Sequence, residues 1–254
     1  MTPPEWVQRF HLMTWQYAVP VLFGPPPPLK SGQKVQTGTC VVVEHAGHRF
    51  VLSAAHVLLE ALRAVQSGLP TDVVVGPLEM SLTLSSVRYA DESRVDVATL
   101  PLTDAEVARI ERAGHRAFRP VEWPPPTVTK NDSILMVGYP GAWRLPIGAD
   151  AHDFRATTQG LIVQSVHDAE FIAHRDPAFG DPVSVSLEDV PPLGVGGCSG
   201  GPVFLVRDEP ILIPRLCGIV KEGLAVPGSD DILLRFARLD VTLGPDGTVR
   251  SPTN

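Results

Sequence analysis

The sequence has 254 residues, 44% hydrophobic and 19% charged, which fits one large or two small globular domains and excludes a disordered chain. Proline, at 26 residues, is about twice its usual share and disfavours a helical bundle, because it fits neither helix interiors nor central strands. Its 21 basic against 28 acidic residues give a formal net charge of −7, the wrong sign for gripping a phosphate backbone, so no nucleic-acid partner is expected.

From the N-terminus, the longest early apolar run is Tyr17–Phe23, without the basic start and apolar core of a signal peptide. No stretch approaches the ~18–20 apolar residues of a membrane span. Residues 1–30, ending in the proline run Pro25–Pro28, are expected as an N-terminal arm. A hairpin follows: Thr37–Glu44, a short turn holding Gly47, then Arg49–Ser53. Val57–Ser67 has helical apolar spacing and stops at Gly68. Strands are predicted over Thr71–Val75, Met80–Arg88 and Val95–Leu102. Thr103–Ala113 then opens with Thr103 and Glu106 in a capping-box pattern.

Three prolines at 124–126 mark a boundary within 119–131, giving a first β unit over 31–120 and a second over 121–254. Predicted strands in the second unit are Ile134–Gly138, Gln159–Val166, Val183–Leu187, Pro202–Val206, Pro214–Val220 and Ile232–Val241. Short strands at this density suggest a sandwich or a barrel. Cys40, Cys198 and Cys217 cannot all pair within one chain, which favours a reducing compartment. The chain is therefore expected to be soluble and cytoplasmic, with no membrane association.

The most informative stretch is Gly194-Val-Gly-Gly-Cys-Ser-Gly-Gly-Pro-Val-Phe204, five glycines around one serine and then an apolar strand. Glycines let a loop aim several N–H groups at one point. Ser199 reads as a nucleophile, with the N–H groups of Gly197 and Ser199 as an oxyanion hole. Gly197-Cys-Ser-Gly-Gly201 also fits the nucleophile elbow of α/β-hydrolases, but that order requires a histidine after the serine. The last histidine is His174, so the elbow fails. Acid-before-histidine order fails for every histidine up to His56, since the first aspartate is Asp72. With His56 as base, at the end of an apolar strand in Phe50-Val-Leu-Ser-Ala-Ala-His56, the remaining order is His, Asp, Ser. Asp96, between Val95 and Val97, needs a buried partner that an imidazole N–H supplies; Asp91 is its rival. Glu44, His45 and His48 crowd a hairpin tip but offer too few convergent groups for a metal, and no metal or cofactor is expected.

These segments resemble the chymotrypsin/trypsin-like serine peptidase family. Thr37-Gly-Thr39, Leu52-Ser-Ala-Ala-His56, Asp96-Val-Ala-Thr-Leu100, Gly197-Cys-Ser-Gly-Gly-Pro202 and Cys217-Gly-Ile-Val220 match its motifs in family order. The resemblance implies an all-β chain of two antiparallel six-stranded β-barrels with short helical excursions. His56 and Asp96 would come from the first barrel and Ser199 from the second. It implies a serine endopeptidase acting on protein or peptide substrates through an acyl-enzyme. The lack of a signal peptide adds a further reading, an intracellular protease regulated by a partner of unknown identity. The alternative is a protease-like scaffold that binds without cutting. Cys198 stands where zymogen-type members carry aspartate. The resemblance also implies a substrate-binding set of Leu193, Val220, Lys221, Glu222 and Gly223. Leu193 at the pocket base predicts cleavage after small or medium apolar residues, not after Arg or Lys, unless Glu222 turns inward.

Overall fold

The computed structural model describes residues 5–26, 34–68, 70–90, 94–141, 144–146, 152–175, 183–184, 196–207, 213–225 and 232–251. Helix α1 (Glu5–Thr14) and a 3-10 turn (Trp15–Tyr17) lead into β1 (Ala18–Gly24). The hairpin β2 (Gln36–His45) and β3 (His48–Ser53) is followed by α2 (Ala55–Gln66), β4 (Asp72–Val75) and β5 (Leu78–Glu79). β6 (Arg88–Tyr89), β7 (Ala98–Pro101) and α3 (Asp104–Arg112) complete the first half. The second half holds β8 (Ser133–Gly138), the short pair β9 (Arg144–Pro146) and β10 (His152–Phe154), β11 (Thr157–Val166), β12 (Glu170–Arg175) and β13 (Val183–Ser184). It ends with β14 (Pro202–Val206), β15 (Arg215–Ala225), β16 (Ile232–Arg238) and α4 (Leu239–Thr242).

Among the described residues, all pairings between the named strands are antiparallel. The first sheet runs β5-β4-β1-β2-β3-β7-β6 and the second β12-β16-β15-β14-β8-β11-β13. Pairing of β11 with β12 closes six strands of the second sheet into a barrel, with β13 attached at the start of β11. Among the described residues the first sheet does not close in this way. It is a curled sheet whose core is completed by helices: Val57, Leu58, Ala61 and Leu62 of α2 and Val107 and Ile110 of α3 join Val19, Val21, Val42 and Val51. The fold is thus the expected chymotrypsin-like one, with one closed barrel and one half-barrel.

The unbroken apolar run Cys40–Val43 has a physical reason. Side chains alternate across a strand, and both faces of β2 are covered. Cys40 and Val42 point into the first core, whereas Val41 and Val43 join a seam between the two halves. On the facing side, Leu135, Val137 and Phe204 enter the seam while Ile134, Met136, Val203 and Leu205 fill the barrel. Phe10 of α1 packs edge-on against Phe204, with ring centroids 6.5 Å apart, and Phe118 lies 5.6 Å from the same ring.

Several expectations change on folding. The segment 1–30, expected as an arm, supplies α1 and a strand, β1, that sits between β2 and β4 inside the first sheet. The run Met80–Arg88 is not a strand apart from Arg88 at its end. Ser86 closes a turn on Thr83, its N–H and hydroxyl donating to the Thr83 carbonyl at 3.0 and 2.7 Å, and such local bonds compete with a ladder. The strand expected to reach Val241 stops at Arg238, where α4 begins. Val183–Leu187 is seen only as β13, and residues 185–187 lie outside the described residues. The predicted capping box of α3 forms: Thr103 N–H donates to Glu106 Oε2 at 2.7 Å, and Glu106 N–H donates to Thr103 Oγ1 at 3.3 Å.

Candidate active site

Residues 196–201 form the loop that enters β14, and two features fix its path. Gly197 and Gly200 have φ of +94° and +83°, the left-handed region that glycine tolerates. Neither has room for a side chain. A Cβ on Gly197 would lie 2.6 Å from the Tyr139 carbonyl oxygen, and one on Gly200 would lie 2.1 Å from Ser53 Oγ. Thr39 of β2 holds the loop from the other half of the molecule. Its hydroxyl donates to the Gly197 carbonyl at 2.7 Å and accepts the Tyr139 N–H at 3.0 Å, while its N–H donates to the Ser199 carbonyl at 2.8 Å. Nothing local in the sequence pointed to Thr39 as this tie.

Two of the loop's other amides are engaged. Gly200 N–H donates to the Val220 carbonyl at 2.7 Å and Gly201 N–H to the Cys198 carbonyl at 2.8 Å. Among the described residues, no hydrogen bond takes up the N–H of Gly197 or of Ser199. Two uncommitted donors two residues apart can receive an oxyanion.

His56 lies in the first turn of α2, not at the end of a strand. Ala54, the N-cap residue, has no side-chain oxygen to offer. Asp96 supplies the cap from 40 positions away. Its carbonyl accepts the Ala55 N–H at 3.1 Å, and its Oδ1 accepts the His56 N–H at 2.9 Å. A carboxylate at a helix N-terminus also suits the helix dipole. The second oxygen, Oδ2, lies 2.8 Å from His56 Nδ1. The aspartate is 7% exposed at its side chain and the histidine 30%, so the buried acid presents a reachable imidazole. Asp96 itself has φ +52°, a conformation a non-glycine residue holds only when its surroundings fix it.

His56, Asp96 and Ser199 line one open cavity of about 410 Å³, together with Glu60, Lys221, Glu222 and Arg235. The Ser199 hydroxyl donates to the Lys221 carbonyl at 3.1 Å. Val220 is buried in the barrel core, where its backbone holds the loop. The Lys221 side chain turns inward to Glu170, at 2.8 Å, whereas the Glu222 carboxylate is half exposed and bound to Arg235 at 2.6 Å. Gly223 follows on β15; Leu193 and Asp91 lie outside the described residues. Burial works against the Glu170 carboxylate, but hydrogen bonds from Lys221 and Arg235 outweigh it and hold its carboxyl below the usual range. Sequence reading missed Glu60, although its spacing of four from His56 on one helix places both on the same face. Glu170 and Arg235 carried no local signal.

At the hairpin tip the described residues bring no three metal-ligating side chains together. Glu44 pairs with Arg49 and Arg119, and His45 stacks on Trp123 at 4.7 Å.

The sequence matches the trypsin-like peptidase domain over residues 38–211, more than half of the chain and inclusive of His56, Asp96 and Ser199. The chain belongs to the trypsin-like peptidase family. No curated protein matches it. It is similar to solved structures of the protease Anisep from Arthrobacter nicotinovorans (13% identity, 89% of this chain and 91% of that one, TM-score 0.49) and of the Rv3671c protease from M. tuberculosis (16%, 100% and 91%, 0.45). Kallikrein-related peptidase 10 is a further one (14%, 89% and 91%, 0.45). In this trypsin-like peptidase domain the residue before Ser199 is Cys198. Its thiol is fully buried against Gly138, and burial pushes its pKa up to about 12.

Proposed function

We propose that the chain is a serine endopeptidase, hydrolysing peptide bonds of protein substrates through an acyl-enzyme. The observation that carries this reading is the bond between His56 Nδ1 and Asp96 Oδ2, in a cavity shared with Ser199. A proton held on Nδ1 by the carboxylate leaves Nε2 as the basic nitrogen. In this reading Ser199 Oγ attacks the scissile carbonyl as His56 Nε2 takes its proton. The N–H groups of Gly197 and Ser199 receive the oxyanion. His56 then returns the proton to the leaving amine, and water repeats the sequence on the acyl-enzyme. No metal or cofactor enters any of these steps.

The Asp96 carboxylate would stabilise the imidazolium as it forms. A reducing, cytoplasmic setting belongs to the same proposal, supported by three buried free thiols at Cys40, Cys198 and Cys217. So does preference for apolar residues before the scissile bond, which rests on Leu193 in the sequence.

The test is reaction with a fluorophosphonate probe, followed by peptide hydrolysis. Wild-type protein is expected to label at Ser199, and Ser199→Ala not at all. Ser199→Ala, His56→Ala and Asp96→Asn are each expected to lower hydrolysis by at least ~10³–10⁴-fold, because such groups act as a unit. Asp96→Asn is the informative one. Its amide oxygen can still accept the His56 N–H and cap α2, while its NH₂ facing Nδ1 forces the wrong tautomer. A folded wild-type protein that neither labels nor cleaves would sink the proposal and leave the binding scaffold. Near-wild-type hydrolysis by Asp96→Asn would remove Asp96 from the machinery.

A further inference from the structure

Lys221 is the extra residue of a bulge in β15. Val220 pairs with Phe236 and Glu222 with Arg235, so Lys221 has no opposite number on β16. Bulges re-aim side chains, and this one turns an ammonium into the protein, where the side chain keeps only 5% of its exposure. A charge is tolerated there only with partners. Lys221 Nζ donates to Glu170 Oε2 of β12 at 2.8 Å, and Arg235 Nη2 clamps the same carboxylate with contacts of 2.7 Å to each oxygen. The second contact of Nζ, at 3.4 Å, is the carbonyl of Arg94. Arg94 belongs to the other half of the molecule, two residues before Asp96. The backbone carbonyl of Lys221 meanwhile accepts the Ser199 hydroxyl.

One residue therefore reaches the serine loop through its backbone and the aspartate's segment through its side chain. The restraints on Asp96 described above all come from α2, from Ala55 and His56. Lys221 approaches that segment from the barrel. We propose that Lys221 is a positioning residue: its ammonium, anchored by Glu170, holds the Asp96 segment of the first sheet in register with the Ser199 loop of the second barrel. This rests on the reading of Asp96 and Ser199 as acid and nucleophile. Methionine at 221 fills the volume without an N–H to give.

The test is Lys221→Met, read by amide hydrogen exchange and by kinetics on a peptide substrate. The Ala55 and His56 amides, whose acceptors are on Asp96, are expected to exchange at least ~10-fold faster, while amides of β8 and β14 keep wild-type protection. Turnover is expected to fall ~10–100-fold with KM within about twofold, since misplacement of the pair affects the chemical step and not uniform binding. Unchanged protection at 55 and 56 in folded Lys221→Met overturns the proposal, whatever the activity. So does faster exchange with unaltered turnover. If wild-type protein proves inactive, the endopeptidase reading falls, while the exchange arm still decides the contact. Should Lys221→Met fail to fold, Glu170→Gln removes the anchor and keeps the lysine; loss of the same protection is expected, and retained protection overturns the proposal.

Discussion

At residue 200 a single methyl group separates an ordered loop from a displaced one. Its Cβ would sit 2.1 Å from Ser53 Oγ and 2.2 Å from the Thr39 carbonyl oxygen, and the backbone is left-handed as well. Gly47, at the hairpin tip, shares the left-handed backbone with φ +81°, but nothing lies within 4 Å of its Cβ direction. The two positions separate strain from collision. Gly47→Ala is expected to lose about 1 kcal/mol, from the conformation alone. Gly200→Ala is expected to lose at least ~3 kcal/mol, because backbone and a buried hydroxyl must move, and to abolish fluorophosphonate labelling. Urea denaturation of the two variants checks the difference; equal losses would mean the collision is relieved at no cost. The motif around Ser199 was readable for this same reason. Its glycines are demanded by local close approach, so the demand is written in the local sequence. Glu170 and Arg235 act through distant partners and leave no such mark.

Helix α1 illustrates how an element can be tied down by a group that must stay neutral. His11 is buried with Nδ1 against Thr158 Oγ1 of β11, and its Nε2 has no hydrogen-bond partner. Burial lowers its pKa from 6.5 to about 4. Between those values the unfolded chain binds a proton that the folded chain refuses. The stabilisation is therefore complete above about pH 6.5 and is lost as pH falls toward 4, by ~3 kcal/mol in all. His115, also lowered by burial, adds to the same slope. Denaturation at pH 7.5 and pH 5 should show the drop, and His11→Leu should flatten it; an identical slope in that variant would move the effect elsewhere. Neither α1 nor the burial of His11 was legible, because α1 is made an element by the seam it docks on. The start of α2 was missed likewise, its cap lying at Asp96, whereas α3, capped by its own Thr103 and Glu106, was found.

Across the whole molecule, the seam lined by Phe10, Phe50, Phe118 and Phe204 joins the half-barrel to the barrel through side chains of both. Large shared apolar surfaces make two units unfold as one. The cysteines report on each side: Cys40 lies in the first core, Cys198 and Cys217 in the barrel core, and burial pushes all three thiols upward in pKa. In native buffer none should react with iodoacetamide, and reductant should change nothing. In rising urea, Cys40 and Cys217 are expected to become reactive at the same concentration. Phe204→Ala, which opens the middle of the seam at a cost of ~3–5 kcal/mol, should lower that concentration and pull the two transitions apart. Exposure of Cys40 while Cys217 stays protected in wild-type protein would show that the seam does not couple the halves. A chain of many short strands was foreseeable from residue patterns. Closure of one sheet and not the other was not, because it depends on which strands meet across the chain.

Asp96 does two jobs at once, giving one oxygen to the end of a helix and the other to an imidazole. An inherited change that removed both side-chain oxygens would be felt in every cell that makes the protein, whether or not substrate is present. Among the described residues the Ser199 side chain gives the fold only one bond, to the Lys221 carbonyl at the rim of the cavity. Selection for a folded chain thus guards the aspartate and, on the proposed endopeptidase reading, leaves the serine to be guarded by cleavage alone. In a lineage that abandoned proteolysis, position 199 would drift first and position 96 last.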